Sequence, residues 1–161
     1  MDKKFLDDFK ITIESAAVRL APISQAQSEV PVSKGKWSRK EIVGHLIDSA
    51  ANNHQRFVRA QFSDDLICQS YYQDQWVSSQ HYQEAPWAEL IELWKRYNFH
   101  LVFMIARIPD SALAKSRTKH NLHKIAYKTV DEDRPTTLEY LIRDYLDHLK
   151  HHLEQIFSST P

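Results

Sequence analysis

Two histidines, His148 and His152, stand four residues apart in the stretch Tyr145-Leu146-Asp147-His148-Leu149-Lys150-His151-His152-Leu153-Glu154-Gln155-Ile156. On a helix, residues i and i+4 share a face one turn apart, and two imidazoles so placed can reach a single metal ion. The helical reading rests on the apolar stripe Leu138, Ile142, Tyr145, Leu149 and Ile156. At about 100° per residue, His152 falls close to that stripe, His148 at its border, and His151 almost opposite, toward water. A third ligand must come from another helix, and two residues compete for the place. His45 borders the apolar face Ile42, Leu46, Ala50 and Phe57, in line with Ser49, Asn52 and Arg56; His100 borders the apolar stripe of a later helix. Spacing does not choose between them. A polar line beside a packing face implies a lined cavity, so Ser49, Asn52 and Arg56 are candidate substrate-binding residues, with Asn53 beside them and Arg56 suited to clamp a carboxylate. His54, His81, His120 and His123 read as surface or loop residues.

The elements that must position these side chains are helices. Of 161 residues only Gly35 and Gly44 are glycine, which removes the means of building a phosphate-binding glycine loop. With 42% hydrophobic and 26% charged residues, the chain reads as a single soluble domain over residues 1–161. Apolar residues at three- and four-residue steps predict a first helix over about Asp2 to Leu20, closed by Pro22. After a loop through Pro31 and Gly35, Ser38-Arg39-Lys40-Glu41 forms a capping box that opens a helix reaching about Phe62. Residues 63–85 form a long connector with Tyr71, Tyr72, Trp76 and Tyr82, whose aromatics either join the core or wall a pocket mouth. A third helix spans about Pro86 to Ile108. Within residues 110–134, Leu122 to Thr129 could pair as a short hairpin or stay irregular. Thr136-Thr137-Leu138-Glu139 is a second capping box, opening the last helix, which ends near Ser158. Four helices of this length suit an all-α four-helix bundle, and the long second connection permits a crossover.

Lys plus Arg and Asp plus Glu are 21 each, leaving no excess charge for a phosphate backbone, so nucleic acid is not an expected partner. The acidic start Met1-Asp2-Lys3-Lys4-Phe5-Leu6-Asp7-Asp8 is unlike a signal peptide, and no uncharged run approaches the roughly 18 residues of a membrane span. A single cysteine, Cys68, excludes a disulfide within the chain and fits a reducing cytoplasmic setting. Cys68 lies outside the histidine motif and reads as an incidental thiol.

The run Trp37-Ser38-Arg39-Lys40-Glu41-Ile42-Val43-Gly44-His45-Leu46-Ile47-Asp48-Ser49, followed by Asn53 and Arg56-Phe57, resembles the second-helix signature of DinB-like proteins. The closing pattern of His148, three residues, His152, two residues and Gln155-Ile156 is similar to theirs, as are Tyr72-Gln73-Asp74-Gln75-Trp76-Val77, Leu93-Trp94 and Asn98. Together these span about Trp37 to Ile156. The resemblance implies an up-up-down-down four-helix bundle with a divalent metal held by one histidine of the second helix and two of the fourth. The matching positions are His45, His148 and His152, and in this way the resemblance decides for His45 over His100. It also implies a reaction class, since the superfamily includes bacillithiol transferases and a mycothiol-dependent isomerase beside members with no assigned reaction.

Three neutral imidazoles leave a divalent ion its full charge and an open position, and imidazole suits zinc and nickel among other metals. Such a site can ionise a bound thiol, giving S-transfer from a low-molecular-weight thiol to an electrophile, or a bound water, giving hydrolysis. The expected protein is therefore a small-molecule enzyme of the bacillithiol transferase kind. Its rivals are a metal-dependent hydrolase and a non-catalytic, stress-related metal-binding or interaction protein. Trp87, Leu93, Trp94, Phe99 and Phe103 spread round more of the third helix than one packing face needs, an arrangement that predicts a homodimer.

Overall fold

The computed structural model describes residues 1–158, and every regular element among them is helical. The Asp2 carboxylate accepts the Phe5 N–H at 2.8 Å and starts α1 (Lys3–Leu20). Ser24 and Gln27 form a reciprocal capping box on α2 (Gln25–Glu29), and Ser38 and Glu41 form another on α3 (Arg39–Arg59). There follow α4 (Gln73–Ser79), a 3₁₀ turn (Tyr82–Glu84), α5 (Trp87–Ile105), α6 (Asp110–Ala114), α7 (Leu122–Ile125) and α8 (Leu138–Ser158). The four long helices are the bundle expected from periodicity; α2 and the short helices of the connections lay in stretches too brief for periodicity to reveal.

Helix directions follow from side-chain partners. Arg143 and Lys150 of α8 reach Asp2 and Asp8 at 2.6 and 2.7 Å, so α1 and α8 run the same way. The Trp87 indole N–H donates to the Leu20 carbonyl at 3.2 Å, placing the start of α5 at the end of α1. Gln83, just before α5, donates to Ser38 Oγ at the start of α3 (2.7 Å), and His54 meets Tyr97 further along, so α3 and α5 are parallel. His45 faces His152 while Phe57 faces Tyr145, so α3 and α8 are antiparallel. The order is up-down-down-up, which corrects the up-up-down-down order implied by family resemblance. The single crossover falls where the long connector was expected, between α3 and α5, because two consecutive parallel helices require the chain to travel back along the bundle.

That return is fastened to the first half of α3. Lys40, fully buried, donates to Glu29 Oε1 at 3.0 Å and to the Gln83 carbonyl at 2.9 Å. The Tyr82 hydroxyl and the Gln80 amide both donate to Asp48 Oδ1, the former at 2.7 Å. As a result Ile42 through Ala50 are buried on every side, not only on the apolar stripe.

Residues 110–134 form no hairpin. Arg117 and Thr136 exchange backbone hydrogen bonds at 2.8 and 3.0 Å, and Asn121 brackets the Cys68 backbone, accepting from its N–H at 2.9 Å and donating to its carbonyl at 2.8 Å. The pairing of Thr136 moves the cap of α8 on by one residue: Thr137 Oγ1, not Thr136, accepts the first-turn N–H, that of Tyr140, at 3.1 Å. Glu139 pairs with Arg143 instead of closing a box. His120, read as a surface or loop residue, lies in the connection between α6 and α7 but is buried; its Nδ1 accepts the Leu122 N–H at 3.2 Å, so its Nε2–H donates to the Arg134 carbonyl at 2.9 Å. Of the aromatic and apolar residues spread round α5, Trp87 and Trp94 are buried within the bundle, whereas Leu93 and Phe103 remain exposed. No helix among the described residues is long and apolar enough to cross a membrane.

Gly44 sits under the Tyr82 ring, and a Cβ there would overlap three ring carbons. Alanine would gain about 1 kcal/mol of helix propensity but overpack the contact, typically at about 1–3 kcal/mol. Because the ring is also tied to Asp48, the clash dominates: Gly44→Ala should lower the urea midpoint of unfolding, whereas a net rise would show that the connector yields freely.

Candidate metal centre

The capping box of Ser38 and Glu41 fixes the start of α3, and His45 follows in its second turn with 0% exposure. Across the antiparallel contact, α8 presents His148 and His152 on the face that also buries Tyr145 and Leu149. Three ring nitrogens converge: His45 Nε2 lies 3.3 Å from His148 Nε2, and His152 Nε2 lies 3.0 Å from the same atom. All three candidate ligand atoms lie within 4.8 Å of one another. Nitrogens on a tetrahedral metal at about 2.0–2.1 Å would be about 3.3 Å apart, so the cluster is already near ligand spacing.

The electrostatics favour lone pairs over protons. Burial pushes His45 down to about 3, helped by the neighbouring His152. Burial, with His152, His45, His151 and Arg56 adding to it, takes His148 down to about 2. Burial also lowers His152, against a hydrogen bond to Gln155 that works the other way. That bond orients the ring: His152 Nδ1 meets Gln155 Oε1 at 2.9 Å, so Nδ1–H is the donor and Nε2 carries the lone pair facing the cluster. The Gln155 amide in turn donates to His151 Nε2 at 3.0 Å. His45 Nδ1 has no protein partner and is held by packing, its ring 5.1 Å from that of Trp37. Neutral and convergent imidazoles, one buried and two half-buried, without a carboxylate among them, fit a divalent transition ion.

A cavity of about 440 Å³ opens beside His148 and His152. One wall is α3, through Ser49, Asn53 and Arg56; another is the loop of Lys124 to Tyr127, which Asp144 pins by accepting the Tyr127 and Lys128 N–H groups at 2.9 and 2.6 Å. Tyr71 closes a third side.

A family model described as the DinB superfamily matches residues 9–156. The chain belongs to the DinB superfamily. Among solved structures, YfiT from Bacillus subtilis, described as "a probable metal-dependent hydrolase with an unusual four-helix bundle topology", superposes with a TM-score of 0.74 at 18% identity, covering 98% of this chain and 87% of that one. At that identity the likeness is one of fold. No curated protein matches the sequence significantly.

In this DinB-superfamily chain the structure brings His45, His148 and His152 together and leaves His100 out; His100 is exposed on α5, its ring 5.0 Å from that of His54. Ser49 and Arg56 line the cavity, whereas Asn52 turns away, donating to the Asp48 carbonyl at 2.9 Å and lining a separate cleft with Cys68. Asn53 takes the place expected of Asn52. The roles of Gln155 and Asp144 were not foreseen; Gln155 had a legible signal, standing three and four residues after the two histidines it joins. Tyr71 lines the cavity, while Tyr72 and Trp76 are exposed.

Histidines kept neutral below their ordinary pKa make the folded state lose ground in acid. As pH falls through about 6.5 the unfolded chain takes up protons that His45 and His148 refuse until about 3 and 2, so stability present at neutral pH is lost at up to about 1.4 kcal/mol per pH unit for each such group. Thermal melts of chelator-stripped protein between pH 7 and 5 should show Tm falling with pH, with a shallower slope for His148→Leu. An unchanged slope would mean that His148 is readily protonated in the folded state.

Proposed function

We propose that His45, His148 and His152 hold one divalent transition metal ion, zinc or nickel, and that the protein uses it to transfer a small thiol to a soft electrophile. The observation that carries the metal reading is the convergence of three neutral imidazole nitrogens at near-ligand spacing. Held by neutral ligands, the ion supplies Lewis acidity enough to ionise a thiol or a water at neutral pH.

The chain's own residues favour an external thiol. Cys68 is buried, its thiol pushed up by that burial, and it lines a different cleft, so it is no nucleophile for this centre. Asp144, the carboxylate of the cavity wall, has each oxygen engaged by a backbone N–H and pins the neighbouring segment. A thiol held by such an ion would give up its proton to solvent at neutral pH, so no general base would be required. His45, His148 and His152 set the position of the reacting atom, Gln155 holds His152 in register, and the cavity admits a small molecule. In the transfer the sulfur's electron pair forms the new S–C bond while the leaving group departs with its own pair. Hydrolysis is the second reading, favoured by the description of YfiT.

Elemental analysis of protein purified without chelator should find one metal per chain. His45→Ala, His148→Ala and His152→Ala should each lose it, and His151→Ala, on the exposed side of α8, should keep it. Conjugation of an electrophilic dye with bacillithiol, mycothiol, glutathione and cysteine should be accelerated by metal-loaded protein and not by His148→Ala. Cleavage of esters or amides without any thiol acceleration would replace transfer with hydrolysis. Full metal binding by His148→Ala would overturn the site.

A further inference from the structure

Arg56 brings a positive charge to the cavity and meets no acid there. Its Nη2 donates to the Gln69 carbonyl at 2.7 Å and its Nη1 to Asn53 Oδ1 at a long 3.4 Å, both neutral acceptors. Nε is buried with no partner. No carboxylate among the described residues lies within ion-pair distance of it, whereas Lys40, Lys128, Arg143 and Lys150 all have one. Burial depresses its pKa, and the only acids near enough to support its charge are Cys68 and Tyr71, both neutral in ordinary conditions. A half-buried guanidinium without a counter-charge is costly in a protein that gains nothing from it.

Elsewhere in the cavity Lys124 stands exposed at the rim with no ion pair and the three cluster histidines are neutral; the one carboxylate of the lining, Asp144, turns its oxygens to the Tyr127 and Lys128 N–H groups and makes no ion pair with Arg56. Arg56 and His148 line the same space, so what binds one can reach the other. His45 and Arg56 are eleven residues apart on α3, so Arg56 stands outside the histidine cluster, yet its charge is near enough to His148 to help lower that ring's pKa. The guanidinium therefore lies on the α3 wall of the same cavity, beside the imidazoles and not among them.

We propose that this cavity takes a small molecule bearing a carboxylate apart from its reacting atom, and that Arg56 is the residue that selects for it. The planar guanidinium has donors left at its Nη end, the arrangement that matches the two oxygens of a carboxylate. The inference rests on the reading of the histidine cluster as a small-molecule site and extends it from a reaction class to a substrate class.

Calorimetric titration of zinc-loaded protein with 3-mercaptopropionate, 6-mercaptohexanoate and their methyl esters reads the selection as a ratio, with zinc content measured on the same samples. At least one acid should bind about tenfold or more tightly than its ester, the scale of one hydrogen bond to a charged group. The preference should fall to about twofold or less in Arg56→Gln and be partly kept in Arg56→Lys, with zinc content unchanged. Arg56 also holds the Gln69 carbonyl, so a disturbed connector would weaken acid and ester together and leave the ratio intact. Equal binding of acid and ester by the wild type, or a preference that survives Arg56→Gln, overturns the assignment and leaves the metal reading standing. If the wild type takes up no zinc, hexanoate against methyl hexanoate on the metal-free protein decides the matter by the same ratio.

Discussion

The hydrogen bond from the Tyr145 hydroxyl to Asn98 Oδ1, 2.6 Å long and buried at the centre of the bundle, is the constraint on which the rest turns. The same ring packs against Phe9 of α1 and Phe57 of α3, each at 5.9 Å between centroids, so one side chain of α8 touches all three other long helices. A polar group in that position accepts only one rotation of its helix, because any other strands the hydroxyl or the amide in apolar surroundings. His148 and His152 follow three and seven residues later on the same face. The rotation that satisfies Asn98 is the one that turns both imidazoles toward His45.

Desolvation does the remaining chemical tuning. Lys40, Tyr82 and Gln80 draw the connector over the first half of α3, and the water thus excluded from His45 keeps its ring neutral. The parts that look structural, a buried lysine and a tyrosine seated on a glycine, are therefore the ones that hold an imidazole ready as a ligand.

The four long helices and the α8 histidine pair were legible because amphipathic periodicity and one-turn spacing are local. His45 was not singled out by periodicity, since His100 borders an apolar stripe of α5 in the same way; the motif around His45, through family resemblance, was needed. Sequence could not choose between Asn52 and Asn53 because the connector carrying Tyr71 and Gln69 decides which flank of α3 the cavity occupies, and no local pattern encodes where a crossover lies. Helix direction was missed for a related reason: it is written in pairs such as Asp8 with Lys150 and Ser38 with Gln83, distant in sequence. Thr136 resembled a cap because its competing partner, Arg117, lies well upstream.

His45 and His148 are separated by 103 positions in the chain. During synthesis His45 is made long before its partners, and an isolated imidazole on a half-formed α3 is a poor ligand. The nitrogens can meet only once α8 lies against α3. The complete three-nitrogen set is thereby tied to the native topology, and binding at it stabilises that topology over any partly folded form, which offers at most the His148 and His152 pair of α8.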